Sequence, residues 1–486
     1  MHDAATMRSR IATRLLALVL AGVLAACAST PPAPPRPDTP AGNAEVVISP
    51  RWWTAFADPA LNALVDEALA SNLDLALATA RVDEARAQLA IARSFLFPEV
   101  SLGAGGGRQQ LSRTTGPQPI PGGGDAFNSF GVGLNAAYEV DLWGRVRSGR
   151  NAAGELLAAS AFDRDAITLS VAAEVARAYF TLVSADAELL VLRDTLATRD
   201  EAVELQRERY GAGVSSEFEL RSAEAERATV VADIAIATRV QKTIASALAT
   251  LLGRSPRDVY VPAIGRSDVA RAAATVPPVP AGLPSDLLAQ RPDVRRREAQ
   301  LAAAHYRVDE ARAQFFPSIV LTGAYGSESA ALGSLFSGPA AVWALAAGLT
   351  QPIFAGGRIV AQTDEAKARR DQATVAYLQT VQTAFREAHD AFVAYSSARD
   401  GFAAQTERRD RLTEALALAE LRYKSGYSPY LEVLDAQRGL LRAETDRIIA
   451  ARELRSAIVD INKSLGGGWQ PPLQDLQETA PLASAR

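Results

Sequence analysis

The chain has 486 residues, with 51 Lys and Arg against 55 Asp and Glu, which gives a formal net charge of −4. A general nucleic-acid binder needs an excess of basic residues, so this balance argues against that class of protein. The chain contains a single cysteine, which excludes an intramolecular disulfide and a zinc site built on thiolates.

The first 26 residues are predicted to be a secretory signal peptide. Three arginines precede an apolar run at residues 15–24 that is too short to span a bilayer. The run ends in Leu-Ala-Ala-Cys at residues 24–27, which resembles the lipobox of bacterial lipoproteins. The resemblance implies cleavage before Cys27 and lipidation of its thiol. Ala28 follows instead of aspartate, which favours sorting to the outer membrane.

Residues 27–50 are predicted to be a tether that follows the lipidated cysteine. The stretch at 31–37 reads PPAPPRP, and a proline-rich segment of this kind is extended and semi-rigid. Such a tether would hold a folded body away from the membrane anchor.

The rest of the chain is a tandem duplication. The pair Phe97-Pro98 recurs 219 positions later at Phe316-Pro317, and from Gly144-Arg145 onward the spacing between equivalent residues is 213. The first half therefore carries six extra residues between Pro98 and Gly144.

An identical octet, RVDEARAQ, occurs at residues 81–88 and 307–314 and departs from the 219 spacing by seven residues. A shift of seven residues keeps the apolar stripe of a helix on the same face. The octet therefore indicates coiled-coil-like helices and does not set the register of the repeat.

Each half predicts the same elements in the same order. A helix of roughly 30 residues ends at the Phe-Pro pair, because proline stops a helix, and two strands follow it. A proline-free helix of about 65 residues, roughly 100 Å long, then leads through a glycine turn to a helix of about 35 residues. The first repeat is predicted to span residues 51–253, with strands at 99–108 and 127–142. A linker at 254–284 separates it from the second repeat at 285–470, which has strands at 318–327 and 340–353. Residues 471–486 are predicted to be a tail.

The predicted strands alternate apolar and polar residues over about ten positions, a weak signature of transmembrane β-strands that a half-exposed soluble sheet shares. Residues 106–126, rich in Gly, Pro, Ser and Thr, are predicted to be a loop. The apolar positions are the even-numbered residues 130–142 in the first half and Trp343, Leu345, Ala347, Leu349 and Ile353 in the second.

Four strands cannot close a barrel, and an open sheet edge in lipid would leave backbone groups without hydrogen bonds. Transmembrane strands would therefore require an oligomer. A dimer would supply eight strands and a trimer twelve, and strand arithmetic does not choose between them.

Three motifs resemble those of one family. Residues 282–293 (GLPSDLLAQRPD) resemble its linker between the halves, residues 53–61 (WTAFADPAL) its opening motif, and residues 465–469 (LGGGW) its closing motif. The chain is similar over residues 27–470 to the outer-membrane factors of tripartite efflux systems, the TolC/OprM group, in its lipoprotein branch.

The resemblance implies an α+β membrane protein that forms a homotrimer. Its twelve strands would form one β-barrel in the outer membrane, continuous with an α-helical barrel in the periplasm and with an equatorial belt near residues 253–285 and the C-terminus. The implied partners are outer-membrane lipid, a periplasmic adaptor (membrane fusion) protein and an inner-membrane pump of the resistance–nodulation–division type. The implied function is that of a lipid-anchored, passive exit duct for drugs or toxic compounds.

The sequence contains no recognisable catalytic constellation. After the signal peptide, histidine occurs only at His305 and His389, each alone on a predicted helix. The glycine runs at 103–107 and 466–468 do not stand between a buried strand and a helix, as a phosphate-binding loop would. We therefore expect no enzyme activity, no cofactor and no metal site, so the energy for transport would come from a partner.

The two glycine turns are the candidate functional region, because the long helices place them at the end away from the strands. Tyr210 and Gly213 in the first turn, with Tyr423 and Gly426 in the second, are candidates for adaptor docking.

The resemblance implies that Glu432 and Asp435 line a closed periplasmic entrance, and Glu219 occupies the position equivalent to Glu432. These acids also suit the first turn of a helix, and Ser216 with Glu219 forms a capping box. A family variant places an arginine near Ser428, which this chain lacks. The neighbouring candidates for counter-charges are Arg422, Lys424 and Arg438.

Two other functions fit the sequence. One is the exit duct of a type I protein secretion system, and the lipobox favours it less. The other is a periplasmic coiled-coil lipoprotein scaffold without a pore, which strands embedded in lipid would exclude. The exported compounds, including metal ions, and the cognate pump are not encoded in any motif of the chain.

Overall fold

The computed structural model describes residues 49–110, 126–267 and 290–467. They divide into two compact units. The first, here called the sheet unit, contains the described residues of 82–160 and 297–377. The second, called the helical unit, contains the remaining described residues. Cys27, most of the predicted linker and the C-terminal tail lie outside the described residues.

The elements follow the order that the repeat predicts. The long helices have equal lengths in the two halves, 67 residues for the first of each pair and 35 for the second. The first half contains α1 (Pro59–Ser71), α2 (Leu73–Ser94), β1 (Glu99–Gln109), β2 (Phe127–Glu139), α3 (Arg145–Gly211) and α4 (Glu217–Leu251). A short helix, α5 (Pro256–Tyr260), follows. The second half contains α6 (Pro292–Ala313), β3 (Ser318–Ser329), β4 (Ala341–Thr350), α7 (Arg358–Lys424) and α8 (Tyr430–Ser464).

The prediction of one helix of roughly 30 residues before each Phe-Pro pair is wrong. In the first half the helix breaks at Asn72, whose backbone is extended with ψ 132°. The Asn72 side chain accepts a hydrogen bond from Leu75 N and donates one to Leu251 O at 2.7 Å. Asparagine thus caps α2 and ties it to the end of α4. Helix α2 has 22 residues, and its counterpart α6 in the second half also has 22.

The four strands form one antiparallel sheet in the order β1-β2-β3-β4. Within the described residues, β1 pairs only with β2 and β4 pairs only with β3. Every residue of β1 and β4 is exposed. The sheet therefore ends on both sides in a strand whose outer edge pairs with no other strand among the described residues.

The register gives the sheet one apolar face. Residues that face each other across antiparallel strands point to the same side, so the partner pairs Leu134–Tyr325 and Tyr325–Trp343 share a face. Trp343 and Leu345 on that face are 78% and 80% exposed. The large apolar side chains on this face are Val100, Leu102, Phe130, Val132, Leu134, Tyr138, Ile319, Leu321, Tyr325, Trp343, Leu345 and Leu349.

The opposite face carries small and polar residues, apart from Phe127, Val320 and Val342. Ser101, Asn135 and Thr322 lie in neighbouring positions on it, and glycines fill much of the remainder. At Gly326 an added Cβ would lie 2.2 Å from the carbonyl oxygen of Val132, so only glycine permits the close approach of β3 to β2. The predicted alternation of apolar and polar positions is thus present over most of the sheet, although Arg108, Asn128, Ser327 and Ser329 also lie on the apolar face.

The strand ends differ from the sequence-based limits. We predicted that β2 would reach residue 142 and that β4 would span 340–353, but they end at Glu139 and Thr350. After β2, the Asp141 carboxylate accepts from the backbone of Val146 and Arg147 and starts α3. The predicted strand at 99–108 and the predicted loop at 106–126 overlap, and the structure resolves the overlap in favour of the strand: residues 106–109 pair with β2, because the strand needs only backbone groups for this.

The core of the helical unit lies where α1, α3, α4 and α8 meet. Leu61, Tyr179, Leu248 and Ile458, one from each helix, are at most 1% exposed. Their packing explains the apolar stretch of α3, which is long and apolar enough to cross a membrane but half buried in the protein. Burial of this surface drives the helices together.

Buried polar groups fix the chain segments around this core. Asp58 caps α1 and accepts a hydrogen bond from the Tyr179 hydroxyl at 2.7 Å. Burial, together with this bond, raises the pKa of Tyr179 to about 12. Arg291, from the linker motif, pairs with Asp293 and Glu387 and donates to Ser464 O at 2.9 Å. These contacts attach the start of α6 to both long helices of the second half.

Candidate functional site

The two glycine turns have the same backbone geometry. In the first, Gly213 N donates to Tyr210 O at 2.9 Å, and in the second, Gly426 N donates to Tyr423 O at 3.0 Å. The two glycines have φ values of +73° and +77°, the left-handed region that other residues enter at a cost of about 1–2 kcal/mol. The repeated glycines therefore end the long helices and reverse the chain twice.

The first turn leads into α4 through the predicted capping box, which is confirmed. Ser216 Oγ accepts from Glu219 N, and the Glu219 carboxylate accepts from Ser216 N at 3.0 Å. Hydrogen bonds from Ser215 and from the Ser216 backbone lower the pKa of Glu219. The Glu219 carboxylate therefore faces its own turn and stabilises the start of α4.

The second turn starts its helix differently. Pro429 precedes α8 and supplies no side-chain cap. Glu432, freed from a capping role, lies 3.7 Å from Arg422, and both side chains are about half exposed (47% and 59%). Such an exposed ion pair contributes little to stability, so the Glu432 carboxylate is available for other contacts.

A chain of polar side chains connects the second turn to the first. The Tyr423 hydroxyl lies 2.9 Å from the Gln206 amide, Gln206 lies 3.0 Å from Ser215 Oγ, and Ser215 Oγ lies 2.6 Å from Glu219. Gln206 is fully buried, and the guanidinium of Arg209 lies 5.1 Å above the Tyr423 ring.

One assignment of hydrogens satisfies this chain completely. The single hydroxyl hydrogen of Ser215 goes to the Glu219 carboxylate, its shortest contact. The Gln206 amide, whose two ends are interchangeable by half a turn, then donates to Ser215 and accepts from Tyr423. Buried networks in which each donor has an acceptor hold their members in one geometry.

The structure places Asp435 one helical turn after Glu432, on the exposed side of α8. The candidate counter-charges have other partners: Arg438 binds Glu226 on α4 with Nε at 2.9 Å, and Lys424 lies 3.6 Å from Glu420. Arg422 alone of these three is within an ion-pair distance of Glu432. Glu432 and Asp435 are therefore neighbours on an exposed helix face, whereas Glu219 is engaged in its cap.

Sequence reasoning missed the buried residues between the turns. Arg199 is 2% exposed and hydrogen-bonds Gln437 across α3 and α8, and burial lowers its pKa. Gln206 and Arg199 carry no motif and lie on a helix rich in exposed charges. The one available signal was the repeat, in which Ala419 and Leu412 occupy the equivalent positions.

The outer surfaces of both turns are apolar. Phe218 is 72% exposed beside the first turn, and Tyr427 is 82% exposed in the second. Tyr210 is 45% exposed, whereas its equivalent Tyr423 is partly buried. Exposed apolar groups of this kind, rimmed by charges, are typical of surfaces that bind another protein.

The two lone histidines are not part of either turn. His389 is exposed beside Asp390, and partial burial lowers the pKa of His305 on α6. Among the described residues no group of three potential metal ligands comes together.

Comparisons with known proteins agree with the two-halved fold. The sequence model of the family described as "Outer membrane efflux protein" matches residues 64–254 and 283–467, one segment in each half. The chain is 36% identical to the outer membrane protein OprJ of Pseudomonas aeruginosa over 465 aligned residues. The alignment covers 93% of this chain and 95% of OprJ. It is 36% identical over 417 residues to the solvent efflux pump outer membrane protein SrpC of Pseudomonas putida, with 85% and 86% covered.

A solved structure shares the fold. The crystal structure of the CmeC outer membrane channel of Campylobacter jejuni matches with a TM-score of 0.82 and 29% identity, over 90% of this chain and 95% of that chain. Together with the two matched segments, this match confirms the resemblance seen in the motifs: the chain belongs to the outer membrane efflux protein family.

Proposed function

We propose that the chain is the outer-membrane exit duct of a tripartite efflux system, a passive conduit for drugs or other toxic compounds. The observation that carries the proposal is the open four-stranded sheet, with one exposed apolar face and two unpaired edges. An apolar face on one side and small polar residues on the other suit a barrel wall between lipid and water.

Closure of this barrel requires further copies of the chain. Three copies would bring β1 of one chain beside β4 of the next and form twelve strands, in which no edge remains open to lipid. The helices of the same three chains would enclose a periplasmic tunnel. The glycines on the non-apolar face of the sheet support a wide passage, because they place few side chains in the lumen.

The partners would be a periplasmic adaptor at the turns and, through it, an inner-membrane pump of the resistance–nodulation–division type. Support comes from the exposed apolar surface around Tyr210, Gly213, Tyr423 and Gly426, and from a relative named as part of a solvent efflux pump. The names of the relatives favour this function over a type I secretion duct. The apolar sheet face disfavours a pore-free scaffold.

The membrane contact of the sheet is tested by introducing a lysine on either of its two faces. Leu345→Lys puts an ammonium group on the apolar face and should destabilise the inserted protein by about 2–4 kcal/mol. Ala346→Lys is the matched control, since its side chain faces the other side of the same strand, opposite Thr322. We expect Leu345→Lys to reduce the amount of protein in outer-membrane fractions, with Ala346→Lys close to wild type. Equal effects of the two substitutions would contradict a lipid-facing sheet.

The proposed anchor is a lipid on Cys27, after removal of residues 1–26, with residues 27–50 as the tether. We expect Cys27→Ser to abolish labelling by palmitate, because the thiol is the acylation site. Assembled protein should remain in the membrane, because the strands themselves hold it there. A serine variant that still incorporates palmitate would show that the lipid is attached elsewhere.

The proposed periplasmic gate consists of Glu432 and Asp435, with a smaller contribution from Glu219. Threefold symmetry would bring the three copies of each carboxylate near one axis, within a Debye length of about 8 Å. Such a ring favours cations and resists closure unless it is neutralised, and Arg422 lies close enough to offset part of the charge.

Removing this charge should change the current through the channel. We expect Glu432→Gln combined with Asp435→Asn to lower the cation-to-anion permeability ratio on the order of twofold and to alter resting conductance in planar bilayers. Glu219→Gln is the control, since its main loss should be the capping bond, about 1 kcal/mol of helix stability. If the double variant conducts and selects like wild type, the gate lies elsewhere.

A further inference from the structure

The two turns and the helices that flank them form two equivalent hairpins, related by the 213-residue spacing. The first hairpin contains the end of α3 and the start of α4, and the second contains the end of α7 and the start of α8. Equivalent positions carry Arg209 and Arg422, Tyr210 and Tyr423, Ser215 and Ser428, and Glu219 and Glu432.

Inside one chain the second hairpin docks on the first through Tyr423. The tyrosine hydroxyl reaches the buried Gln206 amide, and its ring stacks under the guanidinium of Arg209. Gln206 also forms a hydrogen bond with Ser215 in the first turn. This docking site therefore consists of an amide, a serine hydroxyl and an arginine on one hairpin, and a tyrosine on the next.

The second hairpin presents the same site with one group missing. Arg422 and Ser428 stand where Arg209 and Ser215 do, but Ala419 replaces Gln206. Ser428 is 9% exposed, and its hydroxyl has no hydrogen-bond partner within the described residues. On the first hairpin, the Tyr210 side chain is 45% exposed and likewise makes no hydrogen bond within the described chain. Within the described residues, one chain thus has a tyrosine hydroxyl on the first hairpin and a buried serine hydroxyl on the second that both lack hydrogen-bond partners.

We infer that Tyr210 of one copy docks on the Ala419–Ser428 site of a second copy, and that this junction between chains lacks the amide bridge found within each chain. The inference rests on the proposed function, because it requires the hairpins to alternate around a ring. The repeat supplies the template for this contact, because Tyr210 is equivalent to Tyr423, and Ala419 and Ser428 are equivalent to Gln206 and Ser215. The exposed side chains of Leu418 and Leu421, each 62% exposed, flank the site on α7.

The missing amide determines where the ring of hairpins opens most readily. At each junction within a chain, Gln206 bridges the tyrosine and the serine. At each junction between chains, the methyl group of Ala419 replaces this amide, so the hydroxyl groups of Tyr210 and Ser428 have no common hydrogen-bond partner. The ring therefore separates between chains, with the two hairpins of each chain moving together.

The test restores the missing group. Ala419→Gln gives the second hairpin the amide of the first, at a partly buried position that packs against the apolar cluster of Val203, Ala223, Tyr430 and Val433. Ala417→Gln is the matched control, because it places the same amide on the exposed side of α7. Tyr210→Phe, alone and with Ala419→Gln, removes the hydroxyl that the new amide would bind. Full-length protein is measured in planar bilayers and by the temperature at which the purified complex dissociates into single chains.

We expect Ala419→Gln to lower resting open probability by roughly fivefold or more, as one added hydrogen bond per junction would, and to raise the dissociation temperature. Ala417→Gln should match wild type, and Tyr210→Phe should cancel the effect of Ala419→Gln.

Two results overturn the inference while leaving the proposed function intact. One is an Ala419→Gln channel that conducts and dissociates like wild type. The other is an effect of Ala419→Gln that persists with Tyr210→Phe, since the amide would then act on another group. A wild-type protein that neither assembles nor conducts contradicts the proposed function and the inference with it.

Discussion

The unpaired edges of a four-stranded sheet constrain this molecule more than any other interaction. The sheet exposes an apolar face, and within the part of the chain that the structure describes, strands β1 and β4 each leave one edge unpaired. In lipid each unpaired N–H or C=O costs several kcal/mol, so the sheet is stable there only when another strand covers each edge. A single chain has no further strand among its described residues to offer. The requirement for a closed barrel therefore accounts for an assembly of several chains, and with it for a tunnel lined by their helices.

The same duplication that supplies two strand pairs also supplies two hairpins, and there the copies have diverged. Glu219 caps its helix in the first half, while Pro429 begins α8 and leaves Glu432 exposed in the second. Gln206 is buried and bonded to Tyr423, whereas Ala419 at the equivalent position carries no polar group. Equal backbone geometry with unequal side chains lets one hairpin serve mainly as support and the other present exposed carboxylates. In the proposed duct, this division separates the parts that hold the tip together from the parts that ions encounter.

Much of the fold was predictable, because it depends on local patterns that repeat. Two glycines with positive φ mark the ends of the 67-residue helices, and alternation places Trp343 and Leu345 on the apolar face. The failures arose where contacts distant in sequence decide the outcome. Asn72 breaks a helix because its amide reaches Leu251, 179 residues further along the chain. The candidate site was found from the turns and acids, but the buried chain through Gln206 depends on a neighbour 217 residues away, which no local pattern encodes.

The most direct test is whether β1 of one chain pairs with β4 of another. Leu102→Cys in β1 would be combined with single cysteines placed along β4, with Cys27→Ser removing the native thiol. Oxidation in outer membranes, followed by denaturing electrophoresis, gives the number of chains in the largest cross-linked species. The account predicts that the strongest pair forms a product of three chains and none larger, because the third link closes the ring. A product of two chains, an open-ended ladder, or a link only within one chain would contradict it.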